Sequence, residues 1–229
     1  MNHLLKCMVL LFCFSCTALM AQTFSIKPGN IRIDRDFVKA PIFQAQRTYK
    51  SLSRPAIDAK WLQFLVTYIP ESGAKGNDVV WEDNLTVEIN VLIPAKSKRK
   101  YGNVIMLSGK QVLYSVPGDG REHYVLFQIP PALLIKYSGF TAFNRDASES
   151  VYAAVTFRRG NSQTVIATGY AEIKNRTTAD IAKTFSNYYN SNIGVMKLDG
   201  GVLPKEKTPW QWIDTDFFDY PKSMMEGIR

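Results

Sequence analysis

Between Ile26 and Ile173 apolar side chains recur every second residue rather than every third or fourth, the spacing of a strand with one buried face. In "WLQFLVTYIPE", Leu62, Phe64, Val66 and Tyr68 fall on one side, and Trp61, Gln63, Leu65, Thr67 and Ile69 on the other. "LTVEINVLI" is cleaner: Leu85, Val87, Ile89, Val91 and Ile93 point one way, with Thr86, Glu88 and Asn90 between them. Similar runs cover 31–33, 104–116, 123–129, 151–157 and 164–173. The turn "PGDG", 117–120, predicts a hairpin between its flanking runs, because Gly118 and Gly120 supply the positive φ of a tight reversal. "RRGNS" predicts a second hairpin, between 151–157 and 164–173, centred on Gly160 and Asn161.

Two segments break the alternation. "PPALLIKYSG" places Pro130 and Pro131 where a helix start tolerates a missing N–H, and Gly139 where a left-handed cap would end it. A second helix is predicted over about 178–189, with Thr177 as N-cap, Asp180 three residues on, and Ile181, Phe185 and Tyr188 on one stripe. Seven or eight short antiparallel strands and two short helices predict an all-β protein, one β-sandwich whose two sheets pack face to face.

The N-terminus changes where that sandwich is expected to work. "MNHLLKCMVLLFCFSCTALMAQ" joins one lysine, Lys6, to an apolar run and a small residue, Ala21, which is the form of a secretory signal peptide cleaved after Ala21. The run is too short to span a bilayer. Cys16 resembles the lipidated cysteine of an exported lipoprotein, but Cys13, Phe14 and Ser15 before it fit that signal poorly. The expected organisation is therefore a signal peptide over 1–21, a sandwich over 22–203 and a C-terminal extension over 204–229. The expected location is outside the cytoplasm: periplasm, outer membrane or cell surface.

All three cysteines, Cys7, Cys13 and Cys16, lie within the signal. The exported chain would carry no thiol, which excludes disulfides, thiol catalysis and zinc-thiolate sites together. About 200 residues suffice to hold the fold by its core alone. The full chain carries a net charge of +8; such an excess suits an anionic surface, although it also serves ordinary solubility.

Candidate chemistry is sparse. With His3 in the signal, His123 is the one histidine left, which excludes a multi-histidine metal site; on a strand face with Val125, Phe127 and Ile129 it reads as a hydrogen-bonded structural residue. Ser72 to Lys75 and Ser97 to Lys100 fit S-x-x-K but lack the companion motifs of penicillin-recognising enzymes, and phosphate-binding loops and nucleophile elbows are missing. Asp214, Asp216 and Asp219 could serve a carboxylate-dependent hydrolase or a calcium site, yet proximity in sequence does not set two carboxyls across a cleft. The expectation is a non-enzymatic protein with no cofactor.

Two stretches are candidates for binding. Lys96, Lys98, Arg99 and Lys100 join two predicted strands and should project from one end of the sandwich, where they could meet phosphate, lipid headgroups or sulfated glycan, or simply discourage edge pairing. Nucleic acid is the less natural partner for an exported chain. In "TPWQWIDTDFFDYP", Trp210 and Trp212 share a side if extended, as in an aromatic platform for sugar rings. The alternative is burial, with Trp210, Trp212, Phe217 and Tyr220 inward, the aspartates outward, and the tail wrapping an edge of the sandwich. A row of exposed aromatics would be an aggregation hazard, so burial is favoured.

The order of segments carries a resemblance. The strand "KWLQFLVTY", the junction "YVLFQIPPALLIKY" and a tail running from "LPKEKTPW" to "WIDTDFFDYPK" resemble a family of small exported immunoglobulin-like proteins of Verrucomicrobia. One member belongs to the type IV pilus-like gene cluster of Akkermansia, and the family is similar to domains of archaeal flagellar and pilus proteins. The resemblance implies an immunoglobulin-like sandwich in the envelope, with pilus-like protein partners, and it carries over no catalytic or ligand residue.

Overall fold

In the computed structural model the described residues are 23–41, 60–73, 79–101, 103–160, 162, 164–190, 195–211, 213 and 217–219. The expected signal peptide, with Cys16, therefore lies outside them, as do Asn161, Trp212, Asp214, Asp216 and Tyr220.

The chain forms a β-sandwich with short helices. A four-stranded sheet contains β1 (Phe24–Lys39), β2 (Lys60–Ser72), β7 (His123–Ile129) and β11 (Leu203–Pro204), in that order. A five-stranded sheet has the order β10 (Val195–Leu198), β5 (Val104–Val112), β4 (Thr86–Pro94), β8 (Tyr152–Arg158) and β9 (Val165–Tyr170). A two-stranded ribbon pairs β3 (Trp81–Asp83) with β6 (Ser115–Pro117). Pairing is antiparallel apart from β10 on β5.

The alternation explains why the sheets meet as they do. Leu62, Phe64, Val66 and Tyr68 from β2 face Val87, Ile89, Val91 and Ile93 from β4 across one buried cluster, which also takes in Val125, Phe127, Val155 and Phe157. In β1 the inward residues step from Ile26, opposite Pro70, to Ile31, opposite Tyr68, through a bulge. That five-residue step against two on the partner keeps Phe24, Ile26, Ile31 and Ile33 on the same buried side.

Close approach fixes the seams between sheets. A Cβ on Gly169 of β9 would lie 2.3 Å from Ile31 Cγ2 on β1, and one on Gly109 of β5 would lie 2.3 Å from the carbonyl oxygen of Val202. Only a residue without a side chain lets β9 receive the Ile31 side chain at Gly169 and lets β5 approach the Val202 backbone at Gly109. At the second seam the chain passes from β10 in one sheet to β11 in the other, anchored by the Val202 N–H donating to Ser108 O at 3.0 Å.

Each sheet's outer face has its own cover. Helix α3 (Thr178–Asn190) lies on the five-stranded sheet, where Ile181 and Phe185 pack with Leu92, Met106 and Ala154 in a second, smaller apolar cluster. Its start is set as its sequence predicts: Asp180 N–H donates to Thr177 Oγ1 at 3.2 Å and Thr177 N–H to Asp180 Oδ2 at 3.2 Å. Helix α1 (Pro131–Tyr137) follows β7, and a further short helix, α2 (Arg145–Glu149), is capped by Asn144 through a 3.0 Å bond from Ala147 N–H.

Two turn expectations are corrected. The runs flanking 117–120 do not form a hairpin: the first breaks at Leu113 and Tyr114, β5 and β7 belong to different sheets, and β6 between them pairs with β3. Alternation identifies a strand but not its sheet, so a turn that changes sheets looks like a hairpin. Gly120 has positive φ, at 73°, whereas Gly118 is needed because a Cβ there would come within 3.0 Å of the Glu71 and Ser72 backbone. Likewise α1 ends on an extended Ser138 rather than a left-handed cap, and Gly139 instead lies against the Ala95 carbonyl. The hairpin of β8 with β9 has the expected pairing.

Candidate functional site

The deepest cluster of polar side chains closes one end of the sandwich. Tyr68 lies near the end of the inward row of β2, directly across from His123 at the start of β7. The Tyr68 hydroxyl donates to Asp219 Oδ2 at 2.6 Å; His123 Nδ1 lies 2.7 Å from Asp219 Oδ1, and its Nε2 lies 3.1 Å from Asp119 Oδ1. Tyr68 is fully buried, and the imidazole and both carboxylates are largely shielded. One imidazole thus joins two distant segments, the turn after β6 and the C-terminal extension.

The electrostatics follow from that arrangement. Burial alone would depress the His123 pKa, but hydrogen bonds and charge from Asp219 and Asp119 outweigh it and raise it above the ordinary histidine value. For Asp119 burial pulls upward, yet the Arg121 N–H, the His123 bond and nearby positive charge hold its carboxyl below the usual range. Tyr68 is pushed well above an ordinary phenol, first by burial and then by the neighbouring carboxylates. With both ring nitrogens directed at carboxylates, the imidazole has no lone pair turned toward an incoming substrate.

Asp219 belongs to a strap. After β11 a 3-10 turn at Lys205–Lys207 leads the chain over the outer face of the four-stranded sheet. Trp210 packs edge-to-face on Trp61 with ring centroids 5.5 Å apart, and Phe217 stacks on Tyr124 at 4.1 Å. Since Tyr124 pairs with Thr67, those contacts are about 20 Å apart along β2. The strap returns to β7 where Asp219 N–H donates to Tyr124 O at 3.3 Å. Lys205 is buried with its Nζ 4.8 Å from the Phe218 ring centre, and burial raises the Glu206 carboxyl, which accepts from Gln111 Nε2 at 3.2 Å.

Two details of the tail differ from expectation. Asp219 does not face outward; its carboxylate is the centre of the polar cluster. Phe217 is 50% exposed although it stacks on Tyr124 and meets Phe218 edge-to-face at 5.1 Å. Trp210 is half-buried, packed edge-to-face with Trp61. The linear sequence contained the clue to the site, one histidine opening a strand, but no signal for its two carboxylate partners, which lie 4 and 96 residues away.

The basic candidates sit at the other end. Between β4 and β5 the chain makes a helical turn, Lys98–Tyr101, and Lys96, Lys98 and Lys100 are exposed; the Arg99 side chain is outside the described part. Among the described residues no group of three or more His, Asp or Glu side chains is placed to hold a metal ion, and no helix is long and apolar enough to cross a membrane.

These features define a β-sandwich module with a helix over one sheet and a C-terminal strap, pinned by a histidine, over the other. A family model matches residues 19–224, and the chain belongs to that family. A crystal structure of a protein from Akkermansia muciniphila is similar in fold, with a TM-score of 0.64 and 15% identity, over 90% of this chain and 96% of that one. No curated protein matches the chain.

Proposed function

We propose that this chain is a non-enzymatic, exported immunoglobulin-like module of the cell envelope whose work is to bind other envelope proteins, pilus-like components among them. The observation that carries the reading is the closed state of its polar centre. His123, Asp119, Asp219 and Tyr68 satisfy one another and tie the strap to the sheet, a use that holds structure together and presents no group to a substrate. The surface supplies a complementary feature: Trp81, on the β3–β6 ribbon across from Pro117, is 59% exposed. An indole left in water on a paired ribbon is the kind of anchor that protein interfaces use.

The test is site-specific photo-crosslinking in the native envelope, with the probe at Trp81 and a control probe at Lys174. The expected outcome is a discrete protein adduct from position 81 and none from 174. No adduct at 81, or measurable hydrolysis of envelope polymers abolished by Asp219→Asn with the fold intact, would overturn the reading.

A further inference from the structure

At the end of the sandwich opposite the histidine cluster, the β4–β5 connection and helix α1 carry lysines on stretches with no acidic residue. No Asp or Glu occurs between Glu88 and Asp119, or between Glu122 and Asp146. The fold brings these two acid-free stretches together: Ala95 bridges to Ser138, Lys96 N–H donates to Tyr137 O at 2.7 Å, and Gly139 N–H donates to Pro94 O at 2.8 Å. The β4–β5 connection is thereby fixed alongside helix α1. Lys96 Nζ reaches back to Ile135 O at 3.1 Å.

The resulting patch joins exposed Lys96, Lys98 and Lys100 from the connection to Lys136 from the helix. Lys39 and Lys60, register partners at the ends of β1 and β2, lie at the same end, where Lys60 Nζ donates to Phe143 O at 3.0 Å and Asp36 precedes Lys39 by three residues. Ile135 lies within it, 39% exposed. The nearest acidic side chain following α1, Asp146, lies on helix α2, where Glu149 is held by Arg145 at 2.7 Å.

We propose that this end of the molecule is a docking surface for an anionic lipid bilayer. Exposed lysines carried on two separate elements, a strand connection and a helix end, suit an extended anionic surface. A part-exposed isoleucine among them suits the boundary between headgroups and acyl chains, where the lysine stems lie along apolar material while their ammonium groups meet phosphate. A sulfated polymer would match the charge but gives no role to the exposed isoleucine. The inference goes beyond the protein-binding reading, because partner capture at Trp81 and lipid binding at the lysines are separate measurements.

The experiment is co-flotation of the exported chain with vesicles of phosphatidylcholine alone or mixed equally with phosphatidylglycerol. Binding is expected to the anionic vesicles only and should weaken between about 0.1 M and 0.5 M salt. Lys98→Glu with Lys100→Glu should lower affinity roughly tenfold or more, since each basic residue near such a surface is worth about fivefold. Ile135→Ser should lower it by a smaller factor, and Lys174→Glu, on a different part of the surface, should leave it unchanged. Thermal melts of each variant verify folding. Failure to bind anionic vesicles, equal binding to neutral ones, indifference to the charge reversal, or retention on a sulfated polymer without vesicle binding would each overturn the proposal.

Discussion

Both sheets contribute one face to a shared core and have a second face to cover, and the chain covers them by different means. Over the five-stranded sheet lies α3, an amphipathic helix whose Ile181 and Phe185 fill a small apolar cluster. Over the four-stranded sheet lies an irregular strap held at intervals: Trp210 on Trp61, Phe217 on Tyr124, then the Asp219 carboxylate on His123 and Tyr68. A helix satisfies its own backbone and needs only an apolar stripe to dock. The strap's described backbone bonds from Thr208 to Ile213 are local turns that do not tie it to the sheet, so its position rests on particular side chains. The helix cover should therefore respond to volume and ignore pH, whereas the strap should respond to charge.

The largest effect is expected on the helical side. Phe185→Ala removes a ring that is 7% exposed and packed near Tyr170, with centroids 6.0 Å apart. It should destabilise the protein by about 3 kcal/mol in urea unfolding, with a loss nearly constant from pH 5 to about 8. A loss that grew across that range would mean the two covers are not independent.

Next in size is Asp219→Ala, which removes the acceptor of both Tyr68 and His123 and should cost about 2 kcal/mol. Its effect should be local as well as global. Amides of β7 beside the strap, Tyr124 among them, should exchange faster in the variant, while those of β8 remain protected. Uniform acceleration would argue against a strap that opens on its own.

The third prediction is the pH dependence itself. The folded pKa of His123 is raised, so its contribution is fully present below the unfolded value of about 6.5 and is lost as pH rises through the folded value. The folded pKa of Asp119 is lowered, so its contribution is present above about 3.9 and is lost as pH falls through the folded value. The groups facing the imidazole are Tyr68, Asp119 and Asp219, with Arg121 beside Asp119. The strap should be most secure between about pH 4 and 6.5 and loosen in mild alkali, read as protease cleavage within 205–219. His123→Gln should flatten the alkaline limb of that profile while leaving Phe185→Ala unchanged in kind.

The contrast also separates what the sequence reveals from what it conceals. The stripe of α3 and its Thr177/Asp180 cap are local, so their spacing alone places them. The alternation of β2 and β4 likewise fixes which residues enter the core. The sheet to which each strand belongs is not local: β5, β6 and β7 follow one another through turn residues yet lie in three different sheets. The strap is the extreme case. Its aromatics indicate burial, but a carboxylate destined for a core tyrosine looks the same in sequence as one on a loop, so Asp219 cannot be told from Asp214 or Asp216.

The smallest effect should come from Trp210→Ala. The half-buried ring meets Trp61 edge-to-face, and such an aromatic pair adds about 1 kcal/mol beyond its buried area. Trp210 lies at the opposite end of the outer face from the histidine cluster, so its removal should free the middle of the strap while Asp219 stays bound. Protease sensitivity should rise around residue 210, with the alkaline loosening midpoint unshifted. If that midpoint moves with Trp210→Ala, the strap opens as one cooperative piece, and the imidazole governs the cover over its whole length.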